Sequence, residues 1–420
     1  NTARAKQLTE ILGQCLDLIT VIVTDVNELI LTSQQLSLWS TTPQQTTVAP
    51  AFSRTDHDMA AILYTSGSTG LAKGVVLSHR NLLCGANSVA LYLHNTSDDK
   101  ILALLPLSFD YGLSQITTAF SVGAHCILMD YLLPNDVLKA ITKHQITGLA
   151  AVPPLWAQLV KLNNQYDLSS LRYFTNSGGA MPKAILEQLQ VLFPTAQPYL
   201  MYGLTEAFRS SYLEPKYIKT HPNSIGKAIP NAELLVVTSD GRIANDNEPG
   251  ELVHRGPLVS MGYWNAPEKT AQRFKPVATA LPQLCLNDIA VFSGDWVTRD
   301  SEGFLYFVAR QDDMIKSSGY RVSPGEVEDV IYQLSDVVEA AVIGLPHPQL
   351  GQAMIVVFVT VVVDISLVKT VQAHCRKELA NYMQPLKYIA IETMPHNANG
   401  KIDRVALTAQ FNRLFEESSL

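Results

Sequence analysis

The sequence predicts an α/β protein: a large N-terminal domain of parallel α/β sheets with an antiparallel β subdomain, then a small C-terminal α+β lid. Three observations predict it. From Asp58 to about residue 224, strand-length apolar runs alternate with helical patterns, as they do in a largely parallel sheet with crossover helices. Beyond that point short strands follow one another across turn signals, as in an antiparallel unit. A third pattern, a strand–helix mixture, begins at Arg310–Asp313. The expected domains are therefore 1–310 and 311–420.

Taken in order, residues 1–58 carry the weakest pattern. A helical stretch, Lys6 to Leu16, leads into a β-rich run, Leu18 to Thr24, and then a polar loop around Gln44–Thr47. Strands are expected at Ala60–Tyr64, Lys100–Leu105, His125–Met129 and Ile146–Val152, with helices at Asn81–Leu93, Gly112–Ser121 and Asn135–His144. The antiparallel part is read at Asn231–Thr238, Gly250–Arg255, Ala290–Val297 and Gly303–Val308, with Asp240-Gly241 as a turn. In the lid, Ser323-Pro324 followed by Glu326 has the form of a capping box that starts a helix. Strands at Val337–Gly344 and Ala353–Val363, a helix at Ser366–Tyr382 and a strand at Leu386–Ile391 complete it.

Composition excludes several classes. Hydrophobic residues are 47% and charged residues 16% of the 420, too apolar for a chain disordered over most of its length. The net charge of −7 argues against a broad nucleic-acid surface, which needs clustered Lys and Arg. The five cysteines, Cys15, Cys84, Cys126, Cys285 and Cys375, are scattered, with no C-x-x-C or zinc spacing. They suit a reducing compartment and are expected to be small buried apolar side chains. No run reaches the ~18 apolar residues of a membrane span. Charges at Arg4, Lys6, Glu10 and Asp17 do not fit a signal peptide, so a soluble cytoplasmic protein is expected.

The strongest chemical signal is Tyr64-Thr-Ser-Gly-Ser-Thr-Gly-Leu-Ala-Lys-Gly-Val75. An apolar strand runs into a turn where Gly67 and Gly70 let the backbone approach an oxyanion. Thr65, Ser66, Ser68 and Thr69 add hydroxyls, and Lys73 adds a point charge suited to phosphate. The Walker A spacing is not met, because Lys73 lies between Ala72 and Gly74.

This segment closely resembles the phosphate loop of the adenylate-forming enzymes: acyl-CoA ligases, carrier-protein adenylation domains and luciferases. Four further segments resemble that family's motifs in the family's order. They are Tyr202–Ala207, Ser293–Trp296, Phe304–Val322 and Asn399–Arg404. The wording of 105–115, 177–209 and 320–328 is similar to acyl-CoA ligases associated with bacterial exosortase systems. The resemblance also implies that the family's large domain begins ahead of Asn1.

Each motif also has a physical reading. Glu206, beside Thr205 after a Gly turn, is a carboxylate that suits Mg²⁺ bridging nucleotide oxygens. Asp295 after Gly294 suits the two hydroxyls of a ribose. Lys401, in the turn-prone Asn-Gly-Lys loop, is a cation placed to steady charge that builds when two anions meet. By resemblance, Tyr202 lies against adenine, Thr205 contacts phosphate, Arg310 reaches ribose or phosphate, and Gly178, Gly179, Ala180 and Gly203 border the nucleotide. Asp312, rather than its neighbour Asp313, is the implied hinge. Lys316, Ser318 and Gly319 are the implied thiol tunnel.

The implied acyl pocket draws on Phe109, Asp110, Tyr111, Ser114, Ala151, Thr175, Ser177, Met201 and Arg209. Asp110 stands where amino-acid adenylation domains hold an α-amine. Arg209 either pairs with Asp110 or binds a second carboxylate of the substrate; a purely aliphatic pocket is disfavoured. Trp156, after Pro153-Pro154, is read as core. The implied activity is ATP- and Mg²⁺-dependent formation of an acyl-AMP and transfer of the acyl group to CoA. The alternatives are an amino or aryl acid loaded onto a carrier-protein phosphopantetheine thiol, and a non-catalytic nucleotide-binding relative.

Overall fold

Short apolar segments between Lys100 and Leu204 build the parallel half of the main sheet in the computed structural model. The structure describes residues 17–24, 36–38, 53–65, 72–162, 165–277, 288–310, 315–317, 320–347, 350–360, 365–397 and 400–415, with 8, 11, 12, 14 and 15. The chain divides into two units, Asn1–Arg54 and Thr55–Leu420. In the first, β1 (Val21–Val23) pairs in parallel with β2 (Leu36–Leu38). The β-rich run thus contains a strand, and Leu8, Ile11 and Leu12 are helical within the expected first helix.

The second unit opens with a hairpin, β3 (Met59–Thr65) and β4 (Lys73–Ser78), which forms a two-stranded antiparallel sheet of its own. This corrects the alternating reading at Ala60–Tyr64. The apolar run is a strand, but its partner is β4, the next strand in the chain and antiparallel to it, and not a parallel neighbour. The helix His79–Tyr92 follows, with a capping box between Ser78 and Asn81.

Next come β5 (Lys100–Ala103), helix Asp110–Val122, β6 (His125–Leu128), helix Pro134–His144, β7 (Gly148–Ala151), helix Pro153–Leu159, β8 (Tyr173–Asn176), helix Lys183–Leu192 and β9 (Gln197–Leu204). The strands β5 to β9 pair in parallel, in the order β6-β5-β7-β8-β9. β7 and β8 are buried along their whole length, as strands covered on both faces must be. Trp156, Phe193 and Phe174 of β8 itself are fully buried in one core. Each such ring is worth roughly 1.5–3 kcal/mol of burial. Trp156 donates its indole N–H to Ala151 O at 3.2 Å, so the core reading stands.

From β9 the sheet turns antiparallel through β10 (Phe208–Leu213), β11 (Ser224–Ala228), β12 (Glu233–Val237), β13 (Gly250–Arg255), β14 (Phe274–Val277), β15 (Asp288–Arg299) and β16 (Leu305–Arg310). The spatial order is β9-β10-β11-β16-β15-β13-β12, with β14 beside β15. The expected Asp240-Gly241 turn forms, with Gly241 at φ +86°.

A separate sheet holds β17 (Ile315–Ser317), β18 (Tyr320–Val322), β19 (Val337–His347), β20 (Gly351–Thr360) and β21 (Lys387–Ala390). Helices Pro324–Ile331 and Ile365–Glu378 pack on one face through Val327, Ile331, Val371 and Cys375. Helix Arg404–Phe411 packs on the other through Leu407. The expected capping box at Ser323 does not form, because no side-chain cap hydrogen bond is made there; Pro324 in the first turn starts the helix with its fixed φ. The expected long helix ends at Glu378 and gives way to a 3₁₀ turn at Asn381–Met383.

The cysteines depart in part from the expectation. Cys375 is buried, whereas Cys15, Cys84 and Cys126 are half-buried, all four as free thiols. Cys285 lies outside the described residues. Among the described residues no helix is long and apolar enough to cross a membrane.

Candidate active site

The switch from parallel to antiparallel pairing is a tight hairpin. Leu204 pairs with Phe208, leaving Thr205, Glu206 and Ala207 at the tip. Gly203 permits it, since a Cβ there would stand 2.3 Å from Phe208 O. Phe208 takes the strained φ of +57°. The turn presents Tyr202, Thr205 and Glu206 together, all half-buried.

Each of these side chains is held by a neighbour. Glu206 Oε1 accepts the Tyr263 phenol at 2.7 Å, and Lys73 Nζ lies 5.5 Å from the Tyr263 ring centre. Tyr263 therefore links the lysine after the phosphate-loop motif to the acid of the second motif. Sequence reasoning missed it. Its signal was a Gly-Tyr-Trp loop, and Gly262 takes φ +107°. Loop 261–264 is pinned along β4 by Val76 N–Gly262 O at 2.9 Å and Trp264 N–Gly74 O at 2.7 Å.

Tyr202 donates its phenol to Asp295 Oδ2. Burial first, then the Asp295 charge, pushes the Tyr202 pKa well above the ordinary phenol range, so it stays a donor. Asp295 and Arg310 are cross-strand neighbours on β15 and β16, and Arg310 Nε stands 3.5 Å from Asp295 Oδ1. Two further residues support it: Ser293, the first residue of the Ser293–Trp296 motif, and Glu251, which escaped the sequence reading. Ser293 Oγ accepts from Asp295 N at 3.0 Å, and Glu251 Oε1 accepts from Gly294 N at 2.8 Å. They shape the turn that aims Asp295.

Lys401 arrives from the C-terminal sheet's side. Its loop is closed on itself: Asn397 N donates to Lys401 O at 2.8 Å, and Lys401 N to Asn397 Oδ1 at 3.1 Å. The ammonium lies 5.5 Å from the Phe109 ring centre. Gly178 faces its stem at φ +83°, where a Cβ would stand 3.3 Å from Lys401 Cε. The residue as a whole is exposed. Around the ammonium, enclosure pushes its pKa below the usual lysine range, against the attraction of Asp110.

Asp110 is buried in the first turn of its helix. Burial raises its pKa, opposed by the nearby charges of Arg209 and then Lys401. Tyr111 and Ser114 share its helix and are buried. Tyr111 is fixed by Thr175, 2.7 Å to the carbonyl and 2.6 Å to Oγ1. Met201 receives the Tyr92 hydroxyl at 2.8 Å on sulfur. Arg209 is buried with its guanidinium 4.2 Å from the Tyr111 ring centre. Ala151, Ser177 and Phe109 are buried, whereas Gly179 and Ala180 are exposed.

Several expected site residues lie outside the described residues: Ser66, Gly67, Ser68, Thr69, Gly70, Asp312, Ser318 and Gly319. Thr65 and Lys73 are cross-strand partners in the β3–β4 pair. Lys316 is described as part of β17 only. Magnesium keeps most of its waters and needs only one or two carboxylates. Glu206 fits that need, with one oxygen engaged by Tyr263. No group of three or more His, Cys, Asp or Glu among the described residues is placed to hold a metal.

Comparison with known proteins agrees with this arrangement. The family described as AMP-binding enzyme matches residues 1–264, and the AMP-binding enzyme C-terminal domain matches residues 326–401. The long-chain-fatty-acid–CoA ligase of Bacillus subtilis (strain 168) is 30% identical over 370 residues, 87% of this chain and 62% of that protein. The chain thus spans less than two thirds of the length of that relative. ATP-bound MatB from Rhodopseudomonas palustris is similar with a TM-score of 0.78 at 25% identity, over 88% of this chain and 71% of that one. The o-succinylbenzoate CoA synthetase of Bacillus subtilis, in complex with its acyl-adenylate intermediate, gives 0.73 at 29% identity, over 84% and 69%. With one match covering well over half its length and a second over its C-terminal part, the chain belongs to the AMP-binding enzyme family.

Proposed function

We propose that this chain activates a carboxylic acid with ATP and passes the acyl group to the thiol of CoA. A carboxylate oxygen attacks the α-phosphorus, the bond to the bridging oxygen breaks, and pyrophosphate leaves. The thiol then attacks the acyl carbon and AMP leaves. Thr65, Ser66, Gly67, Ser68, Thr69, Gly70 and Lys73 cradle the phosphates, with Thr205 beside them. Tyr202, Gly178, Gly179, Ala180 and Gly203 border the base, and Asp295 and Arg310 hold the ribose. Glu206 would hold a magnesium ion, whose charge offsets that of the phosphates. Lys401 steadies the two anions that meet, a task of positioning and electrostatics.

The observation that carries this reading is the approach of Lys401 to Gly178 and Phe109, within reach of the Asp110, Asp295 and Glu206 charges. For the second step, residues 311–420 turn as a lid about Asp312. Lys401 withdraws, and Lys316, Ser318 and Gly319 line the thiol's path. A reaction that consumes ATP and CoA belongs in the cytoplasm. The wording of 105–115, 177–209 and 320–328 supports a place beside the exosortase-associated acyl-CoA ligases. A second reading, an amino or aryl acid loaded onto a carrier-protein thiol, is favoured by the buried Asp110.

Two measurements test the proposal. Exchange of pyrophosphate into ATP is expected with some member of a panel of fatty, aryl, amino and dicarboxylic acids; no AMP release with any of them refutes it. Lys401→Ala is expected to lower adenylation at least about a hundredfold. It should spare thioester formation from a supplied acyl-AMP, and equal loss of both steps contradicts the role given to Lys401.

A further inference from the structure

A guanidinium taken out of water without a partner is costly, because its N–H donors lose their hydrogen bonds. Arg209 is only 2% exposed. Its Nε and Nη2 are enclosed and make no hydrogen bond to any described residue. The two nitrogens share one edge of the planar group, the edge whose parallel N–H bonds fork a carboxylate.

The rest of the side chain is held in place. Its guanidinium lies over Tyr111 at 4.2 Å and 5.3 Å from the Phe208 ring centre. The Tyr111 ring is itself tied to Thr175 by its hydroxyl. The backbone contributes as well. Arg209 pairs with Gly203 and Ser211 with Tyr202, so Ser210 is the extra residue of an irregularity in the β9–β10 ladder. Bulges of this kind re-aim side chains next to sites. Ser210 Oγ, and Ser114 Oγ one helical turn beyond Asp110, are also buried without a partner among the described residues.

We infer that the acid this protein activates carries a second carboxylate, and that Arg209 selects it through a bidentate pair on its Nε–Nη2 edge. The inference rests on the acid-activating reading above and names its substrate class, a dicarboxylic acid. Charge balance agrees with it. The reacting carboxylate meets Lys401 and the second meets Arg209, so the enclosed guanidinium is not left unmatched. Asp110 gives Arg209 a nearby charge but no hydrogen bond to Nε or Nη2, which leaves that edge for the substrate.

The test is pyrophosphate exchange by the full chain with three sets of acids. They are short dicarboxylic acids, with and without an α-amino group; the monomethyl esters of those acids; and monocarboxylic acids of equal length. At least one diacid is expected to exceed its own monoester in kcat/KM by about a hundredfold or more, the scale set by leaving a buried charged donor unmatched. This comparison uses the unaltered protein, so it does not depend on any variant folding. Arg209→Met is expected to abolish the preference for the diacid over its monoester, and Arg209→Lys to keep part of it. Exchange as good with a monoester or a monocarboxylate as with every diacid overturns the inference and leaves the acid-activating reading standing. Exchange with no acid at all overturns both.

Discussion

His254 shows how one enclosed ring sets the acid stability of the site. It is buried behind Tyr202, the ring centres 6.2 Å apart and nearly parallel. Neither ring nitrogen has a hydrogen-bond partner among the described residues, and burial pushes its pKa down to about 3. Between about pH 6.5 and pH 3 the unfolded chain takes up a proton there that the folded chain refuses. Stability is therefore fully present above that window and falls as the pH drops through it. His254→Leu is expected to melt several degrees above the unaltered protein at about pH 5 and close to it at about pH 8. Melting curves at the two pH values check this, and an equal difference at both would sink it. A sequence shows the histidine but not the enclosure, so this residue was illegible beforehand. Asp295 and Glu206 were legible, because each lies in a segment whose wording resembles a family motif; residue type and a preceding glycine turn alone would not have singled them out.

Among the elements, Asp99 ties three strand starts together. Its carboxylate accepts from Thr147 Oγ1 at 2.7 Å, Arg172 Nη2 at 2.9 Å, Thr96 N at 2.9 Å and Asn95 Nδ2 at 3.1 Å. Arg172 also donates to Leu93 O at 2.8 Å. Burial alone would raise the Asp99 pKa, but these hydrogen bonds outweigh it and hold the carboxyl below its usual range. The stability it confers is present above an unfolded pKa of about 3.9 and lost as the pH falls below that. Asp99→Ala is expected to cost about 2–3 kcal/mol at neutral pH, less than a fully buried pair because Arg172 keeps solvent access. Urea midpoints should show that deficit shrinking below about pH 3; a deficit constant with pH means the loss is one of packing. Two of the strands that Asp99 joins, β5 and β7, were readable from their apolar runs, whereas β8 was not among the expected strands. The hairpin at Met59–Thr65 was misread because strand period says nothing about which neighbour a strand will pair with.

For the molecule as a whole, the proposed activity requires that one loop near the C-terminus reach the end of β8, built hundreds of residues earlier, and then release it. Asp312→Pro fixes φ at the proposed hinge. It is expected to lower thioester formation at least about tenfold while pyrophosphate exchange persists. Equal loss in both half-reactions would place the hinge elsewhere. Alternating strands and helices, the ordered series of five motifs and the residue types proposed to handle phosphate, ribose and metal were all read from the sequence alone. Periodicity and turn chemistry are local properties, and short motifs keep their wording. Only the tertiary structure decided that Lys401 meets Gly178, that Tyr263 joins Lys73 to Glu206, and that Arg209 is enclosed with Nε and Nη2 unpaired among the described residues. Those facts depend on which distant segments exclude water from one another, and that cost or gain exists only once the chain has packed.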